Sequence, residues 1–282
     1  YYLYVMAADK YMNASKPVEK TFKTGSSGTT PSTSPSSSGG SGNSTTKTTT
    51  NADGTKTTTT TTKSGTTTTV TESTTKSDGT KEVTKTVTDS KTGTKTVTES
   101  TTKTDGSKEE TKTVTNKDGS STVTETDTAA DKSQEIVVTD ATASGDVSIS
   151  TSTVNASGTT TSAATYEATS DNTVKLDNIE STGKTVTIPA TVTAAGDKYK
   201  VTRIAAKALA NNKKVTKVVI GKNVKVIGKK AFAGDSKLKT ISIKGAVKSV
   251  GKDAFKGINK KATITIKASK ANYKKAVKAI KK

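Results

Sequence analysis

Lysines and a few carboxylates are the side chains of this sequence that could do chemistry. The 282 residues include no His and no Cys, which removes the usual general base, the thiol nucleophile and the nitrogen and sulfur ligands of zinc. Residues 184–282 contain 27 Lys and Arg but only three acids, Asp197, Asp235 and Asp253. The sequence has no phosphate-binding glycine loop and no acid-rich calcium loop. It therefore predicts a protein that is not an enzyme and has no metal or cofactor.

The acids and aromatic residues of this basic region are better explained by structure than by catalysis or base stacking. Asp235 and Asp253 lie in predicted turns or near helix starts, where a carboxylate commonly accepts hydrogen bonds from backbone N–H groups. Phe232 and Phe255 fall at core positions of a repeat, so we expect them to pack inside the protein. They would then provide no stacking platform for nucleic-acid bases.

Charge is distributed very unevenly along the chain. Residues 184–282 carry a net charge of +24, whereas 46–128 are neutral and 129–183 carry −6. Such a concentration of positive charge attracts polyanions. The candidate polyanion-binding residues lie between the apolar positions of the basic region and are Lys213, Lys214, Lys217, Lys229, Lys230, Lys237 and Lys239. Two interpretations stay open: these lysines bind an anionic partner, or they only keep the protein soluble.

A 23-residue repeat is expected to position these lysines. The apolar phrase V-x-x-I-[A/G]-x-x-A-[L/F] and a following [V/I]-x-I occur three times, with Ile204, Ile227 and Val250 at equivalent places. A constant period of this length predicts a solenoid in which neighbouring coils bury each other's apolar face. The predicted core residues are Ile204, Leu209, Val218, Ile220, Ile227, Phe232, Leu238, Ile241, Ile243, Val250, Phe255, Ile264 and Ile266.

The second copy carries a family resemblance. It reads Ile227-Gly228-Lys229-Lys230-Ala231-Phe232-Ala233-Gly234, then Leu238-Lys239-Thr240-Ile241-Ser242-Ile243. Over roughly residues 184–282 the chain resembles the BspA-like, or Treponema-type, leucine-rich repeat. The resemblance implies a mainly β solenoid of short strands and short helical turns. It also implies a secreted or cell-surface protein that serves adhesion and has no enzymatic activity.

Departures from the family pattern prevent us from carrying over a ligand. Lys261 stands where the second copy has Leu238, and Asp235 stands where the family often has Cys. We assign the leucine-rich-repeat domain to residues 163–282, with an N-terminal cap of strands in 163–200. A C-terminal helical cap is predicted in 270–282, because apolar residues recur there on one helix face.

Residues 46–162 form a Thr-rich stalk with two possible structures. Glycines recur at nearly regular intervals, often after Asp as in Asp53-Gly54 and Asp118-Gly119, which predicts a meander of β-hairpins. The stalk has few apolar residues larger than Ala, and their burial offsets little of the entropy lost on ordering. That shortage favours an extended, mostly disordered stalk over a single-layer sheet. The density of Ser and Thr also permits O-glycosylation.

The first 45 residues are expected to be a remnant and a linker. Residues 1–23 resemble the last strands of a bacterial immunoglobulin-like or fibronectin-like domain, and the alternative is the trailing piece of a signal or linker. Residues 24–45 are rich in Ser, Gly and Pro and predict a flexible linker. Because the sequence begins with Tyr1, we expect a piece of a longer protein whose export signal and anchor lie elsewhere.

Three functions remain open from the sequence alone. The first is an extracellular or surface adhesion module that binds an anionic cell-wall polymer, a glycan or a host surface protein. The second is a structural spacer and cap of a long wall protein. The third, nucleic-acid binding, is disfavoured because Ser/Thr-rich tracts are typical of extracellular proteins. No apolar stretch is long enough for a transmembrane helix, and we expect a monomer.

Overall fold

The computed structural model describes residues 43–170 and 172–266. In this part of the chain the regular elements are nineteen β-strands, and no helix is present among the described residues. The segments expected as short helical turns are therefore non-helical turns. The immunoglobulin-like remnant at 1–23, most of the linker at 24–45 and the helical cap at 270–282 lie outside the described residues.

The chain divides into two compact units, and the first holds the described residues 43–104, 112–121 and 141–146. Its first five strands are β1 (Asn43–Thr50), β2 (Lys56–Ser64), β3 (Thr67–Thr75), β4 (Lys81–Asp89) and β5 (Lys95–Thr102). Each pairs antiparallel with the next. The strands β6 (Lys108–Thr115), β7 (Ser121–Thr128) and β8 (Gln134–Ala141) follow along the chain.

Turns that contain glycine join the strands of this meander, and those from β1 to β2 and from β3 to β4 are Asp-Gly turns. In the first of them the N–H of Asn51 donates to the carbonyl of Thr55 at 2.9 Å, and Asp53 Oδ1 accepts from the N–H of Thr55 at 2.9 Å. Gly54 has φ of 83°, a left-handed conformation that glycine adopts without steric cost. The hairpins predicted from the Asp-Gly spacing are therefore present.

Of the two structures considered for the stalk, the protein has the meander and not the disordered chain. Apolar burial is not what orders β1 and β2. Their hydroxyl groups pair across the strands on one face, with oxygen distances of 3.4, 3.2 and 3.1 Å for Ser44–Thr62, Thr46–Thr60 and Thr48–Thr58. Cross-strand Thr pairs and a continuous backbone ladder stabilise a sheet beyond what its apolar content provides.

The second unit comprises the described residues 105–111, 122–140 and 147–266 apart from 171. Its later strands are β9 (Val147–Val154), β10 (Thr160–Ser170), β11 (Thr173–Ser181), β12 (Thr185–Ile188), β13 (Thr191–Ala194), β14 (Asp197–Ile204), β15 (Lys217–Ile220), β16 (Val226–Ile227), β17 (Thr240–Ile243), β18 (Ser249–Val250) and β19 (Thr263–Ile266). Strands β9, β10 and β11 are antiparallel neighbours. The same sheet continues with parallel strands in the order β11-β14-β16-β18, and β13 pairs antiparallel with β14 off this path. A second sheet consists of parallel strands in the order β12-β15-β17-β19.

The register of the parallel strands confirms the predicted solenoid and its period. Ile204 pairs with Ile227, and Ile227 pairs with Val250. In the second sheet Ile241 pairs with both Val218 and Ile264. Each of these steps advances the chain by one repeat, so equivalent side chains of successive coils lie above one another.

The core fills the space between the two parallel sheets. The predicted core residues of the first two repeats are buried, and Phe232 is fully enclosed at 0% exposure. Its ring stacks on that of Phe255 with a centroid separation of 5.3 Å. In the third repeat Val250, Phe255, Ile264 and Ile266 are only partly buried. Among the described residues, this last coil has a neighbouring coil on one side only.

Two features of the turns were not apparent from the sequence. A Cβ at Gly228 would lie 2.5 Å from the carbonyl carbon of Ala205 in the preceding coil, so this glycine permits close stacking of the backbones. Lys207, Lys230 and Asp253 are equivalent positions of successive repeats, and they have positive φ of 61°, 56° and 58°. The same left-handed turn therefore recurs in each coil without glycine.

Candidate functional site

One edge of the sheet formed by β12, β15, β17 and β19 gathers eight lysines of the basic region. These strands are parallel and in register, so all their N-terminal ends lie at the same edge. Backbone hydrogen bonds join the residues there. The N–H of Lys217 donates to the carbonyl of Lys184 at 3.0 Å, that of Lys239 to Thr216 at 2.8 Å, and that of Thr263 to Lys239 at 2.8 Å.

We call this cluster the lysine edge, and its members lie on or just before the four strands. They are Lys184, Lys213, Lys214, Lys217, Lys237, Lys239, Lys260 and Lys261, and all are exposed. Lys214, Lys237 and Lys260 stand at the same position of successive repeats and form a column across the coils. Because parallel neighbours are about 4.8 Å apart, the column presents closely spaced like charges.

Asparagine side chains hold the backbone that carries these lysines. Asn212 Oδ1 accepts hydrogen bonds from the N–H groups of Lys214 and Val215 at 2.8 and 2.9 Å. In the third repeat, Asn259 Oδ1 accepts from the N–H of Lys261 at 2.9 Å. Val215 itself is fully buried. The loops are thus anchored in the core while the lysine side chains face solvent.

Asp235 lies beneath the lysine edge as a buried carboxyl. Its Oδ1 accepts a hydrogen bond from the N–H of Asn212 at 2.8 Å, which confirms the predicted role as an acceptor for backbone N–H. Its Oδ2 is buried and has no partner among the described residues. Burial raises the pKa of Asp235 to about 7, opposed by the Asn212 N–H and the charge of Lys213. Near neutral pH this group therefore supplies only a partial counter-charge.

The ammonium groups of the edge are mostly uncompensated. Lys213 Nζ donates to the carbonyl of Gly234 in the next coil at 2.7 Å, so this lysine is partly engaged. Ion pairs occur elsewhere among the described residues, as at Lys76, Lys108 and Lys175, and none of these includes a side chain of the lysine edge. A high local positive potential follows.

The seven lysines predicted from the sequence divide into two places. Five belong to the lysine edge, whereas Lys229 and Lys230 follow β16 on another part of the coil. There the N–H of Lys207 donates to the carbonyl of Lys229 and that of Lys230 to Lys252, both at 3.1 Å. We call this second cluster, Lys207, Lys229, Lys230 and Lys252, the lysine turn.

The sequence prediction omitted three members of the lysine edge. Lys260 and Lys261 belong to the third repeat, and Lys184 precedes the first strand of the sheet. The constant period could have identified Lys260, because it is one repeat beyond Lys237. The period does not predict Lys184, because its neighbour Thr216 lies more than one repeat further along the chain.

A hydroxyl-bearing surface adjoins the lysine edge. Side chains alternate along the short strands, with Val186, Ile188, Val218 and Ile220 buried. The outward positions of the sheet are Thr185, Thr187, Lys217, Val219, Thr240, Ser242, Thr263 and Thr265. Ammonium groups beside hydroxyl groups can pair with anionic groups and form hydrogen bonds with a polyol in the same ligand.

Two further properties of the described residues concern metal binding and membrane spanning. No group of three or more acidic side chains is placed to hold a metal ion in residues 43–170 and 172–266. In the same residues, no helix is long and apolar enough to span a bilayer.

Comparison with known proteins identifies the repeats. Residues 202–277 match the family described as "BspA type Leucine rich repeat region (6 copies)". Comparison with curated proteins gives no match.

Solved structures that resemble the chain include bacterial leucine-rich-repeat proteins. One is a leucine rich cell surface protein from Faecalibacterium prausnitzii, with 28% identity, coverage of 36% of this chain and 30% of that chain, and a TM-score of 0.34. Another is a leucine-rich repeat protein from Bacteroides capillosus, with 24% identity, 37% and 94% coverage and a TM-score of 0.30. The Treponema pallidum leucine rich repeat protein has 19% identity, 36% and 60% coverage and a TM-score of 0.27. The chain therefore spans less than a third of the Faecalibacterium protein.

Proposed function

We propose that this chain, whose residues 202–277 match the BspA-type leucine rich repeat family, is a non-enzymatic binding module of a bacterial surface or secreted protein. Its ligand is an anionic cell-wall polymer or an anionic glycan, bound through the lysine edge. The observation that carries this proposal is the alignment of eight exposed lysines along one sheet edge. The one acid beneath them, Asp235, is buried.

Repulsion between like charges at the lysine edge favours the binding of a polyanion. Exposed like charges in a column repel one another and contribute nothing to the stability of the fold. An anionic polymer relieves that repulsion and releases its own counterions, which makes the binding free energy strongly dependent on salt. The adjacent hydroxyl surface adds hydrogen-bonding groups that suit a carbohydrate or polyol backbone.

The two alternative functions make different predictions. A structural spacer requires no ligand and predicts no binding at low salt. Sequence-independent binding of nucleic acid would need only the lysines, but stacking of bases requires exposed aromatic rings. Phe232 is buried and its ring stacks on that of the partly buried Phe255, so this pair provides no such platform.

The experiment compares two variants with the same change of charge. The double variant Lys237→Glu/Lys239→Glu alters the lysine edge, and Lys229→Glu/Lys230→Glu alters the lysine turn. Binding of the whole chain to a sulfated glycan and to teichoic acid is measured between about 50 and 200 mM salt. We expect the edge variant to lose about tenfold or more in affinity at low salt, with the melting temperature unchanged.

The lysine-turn variant is the control for net charge. A much smaller loss in that variant supports binding at the edge, whereas equal losses would mean a diffuse effect of total charge. If the unaltered chain bound neither polymer at low salt, the spacer would be the better description. Binding of single-stranded DNA that exceeds both polymers would favour the nucleic-acid alternative.

A further inference from the structure

Strand β1 presents an open sheet edge. All eight of its residues are exposed, and it is the terminal strand of its sheet. It pairs with β2 along its whole length, from Asn43 opposite Lys63 to Thr50 opposite Lys56, without a shift of register. Its second row of backbone N–H and C=O groups is therefore available among the described residues, and such a row is a template for another strand.

This edge lacks most of the features with which proteins usually protect open strands. Those features are short length, proline, bulges and charged side chains, and β1 has only the single charge of Lys47. The strand reads Asn43-Ser44-Thr45-Thr46-Lys47-Thr48-Thr49-Thr50, with no proline, one charged residue and five threonines. Threonine has a high strand propensity, so the strand is well suited to pair again.

We propose that two copies of this chain associate by antiparallel pairing of their β1 strands about a two-fold axis at Thr46. Directly opposed residues of an antiparallel pair point to the same face. In a two-fold pair, one residue of β1 must therefore lie directly opposite the same residue of the partner. Centring on Thr46 places Lys47 opposite the partner's Thr45. Centring on Lys47 would instead oppose two ammonium groups, which destabilises the pair.

The chosen register also continues a pattern that exists within one copy. On one face of β1 the hydroxyls of Ser44, Thr46 and Thr48 already meet hydroxyls of β2 at 3.1 to 3.4 Å. Across the proposed axis, Thr46 would meet the partner's Thr46 and Ser44 would meet the partner's Thr48. The ladder of hydroxyl pairs thus extends from β2 through both β1 strands.

The association is expected to be transient. A single pair of eight-residue strands buries less area than the roughly 1,200 Å² of a stable interface. The monomer expected from the sequence therefore becomes a monomer–dimer equilibrium that depends on concentration. Attachment of many copies to one surface would raise their effective concentration. This inference does not depend on the proposed polyanion binding.

Cysteine cross-linking tests the register, since the natural chain contains no Cys. The Cα atoms of opposed residues are about 4.5–5.5 Å apart, within the range of a disulfide, whereas diagonal neighbours are about 7–8 Å apart and outside it. Under mild oxidation we expect Thr46→Cys to form covalent dimers roughly tenfold faster than Thr45→Cys. A mixture of Ser44→Cys and Thr48→Cys should form the mixed dimer in preference to either homodimer.

A second variant tests the association without covalent chemistry. Thr46→Lys places two ammonium groups at the axis, and sedimentation of the whole chain should then show monomer at concentrations where the unaltered chain dimerises. Circular dichroism checks that the exposed substitution leaves the sheet intact. Equal cross-linking rates at 45 and 46, with a monomer at every concentration, would overturn the proposal. The same result is expected if an N-terminal segment of the same chain covers β1.

Discussion

Asp235 is a residue whose ionisation should be visible in the stability of the protein near neutral pH. Its side chain has 0% exposure, and burial raises its pKa from 3.8 to about 7. The folded state therefore binds this proton more tightly than the unfolded state does. The protonated carboxyl of Asp235 makes its full contribution to the free energy of unfolding below the unfolded pKa of 3.8. This contribution is lost as the pH rises through about 7.

We expect the free energy of unfolding to fall by up to about 4 kcal/mol between acid and slightly alkaline pH. Asp235→Asn removes the titration but leaves a buried amide in place of Oδ2, at a cost of about 1–3 kcal/mol. The informative quantity is therefore the slope of the free energy of unfolding against pH. The melting temperature, measured between about pH 5 and 8, should decrease with rising pH for the natural chain and stay constant for Asp235→Asn.

The carboxylates in the turns of the meander do not add to the pH dependence of stability between about pH 5 and 8. Backbone N–H groups lower the pKa of Asp53, and Thr80 lowers that of Asp78 in the same way. Groups of this kind contribute stability above their unfolded pKa, and that contribution is lost only in stronger acid. Asp197→Asn, at an exposed residue of the same basic region, is the matched control. An identical slope in the natural chain and in Asp235→Asn would contradict the prediction.

Phe232 is the largest fully buried side chain of the solenoid. Phe232→Ala removes a ring that has coils on both sides and should cost about 3–5 kcal/mol in denaturant unfolding of the whole chain. Phe255→Ala, in the partly buried third repeat, should cost less. Equal losses for the two variants would show that the central coil is not the more enclosed one.

At the scale of elements, the coils stack closely because glycine removes a Cβ at their contact. Gly228 lies against the backbone of Ala205, and an added Cβ would come within 2.5 Å of it. Gly228→Ala should therefore force the coils apart and lower the free energy of unfolding by at least about 1–3 kcal/mol. Gly183→Ala is the control, since its nearest atom, Ser181 Oγ, is 3.5 Å away. A smaller loss at Gly228 than at Gly183 would contradict this account of the stacking.

The same parallel stacking creates the lysine edge. A short strand begins at the same level in each coil, so any lysine just before the strand meets its counterpart one coil away. Lys229 and Lys230 follow β16 at another position of the coil. Stacking brings them beside Lys207 and Lys252 of the neighbouring coils in the same way. One repeat thus produces two separate basic clusters, and the lysine edge lies beside the outward hydroxyl groups of β12, β15, β17 and β19.

At the scale of the whole molecule, the two units are stabilised by different means. The solenoid encloses apolar side chains between its sheets, whereas β1 to β5 have exposed or half-exposed side chains throughout. Hydrogen exchange should therefore be slowest in β15 and β17, intermediate in β3 and β4, and fastest in the Asp-Gly turns. Exchange within seconds across residues 56–102 would instead indicate the disordered stalk that the composition favoured.

The sequence by itself determined the solenoid and the absence of His and Cys side chains. Apolar residues at a constant spacing can be buried together only if successive coils stack in register, so Ile204, Ile227 and Val250 were predictable neighbours. The missing His and Cys are equally plain in the composition. These properties follow from residue type and spacing alone, because one repeat is related to the next by a fixed step along the chain.

Only the tertiary structure decided which lysines meet, how Asp235 is buried and whether the stalk is ordered. Lys184 joins Lys217 through a strand pairing that lies outside the period, and the Oδ2 of Asp235 loses its solvent only when the coils close over it. The Thr-rich strands form a sheet through hydroxyl and backbone pairs between strands, which a count of apolar residues does not include. Each of these outcomes depends on contacts between residues that are distant in the chain, and composition does not specify such contacts.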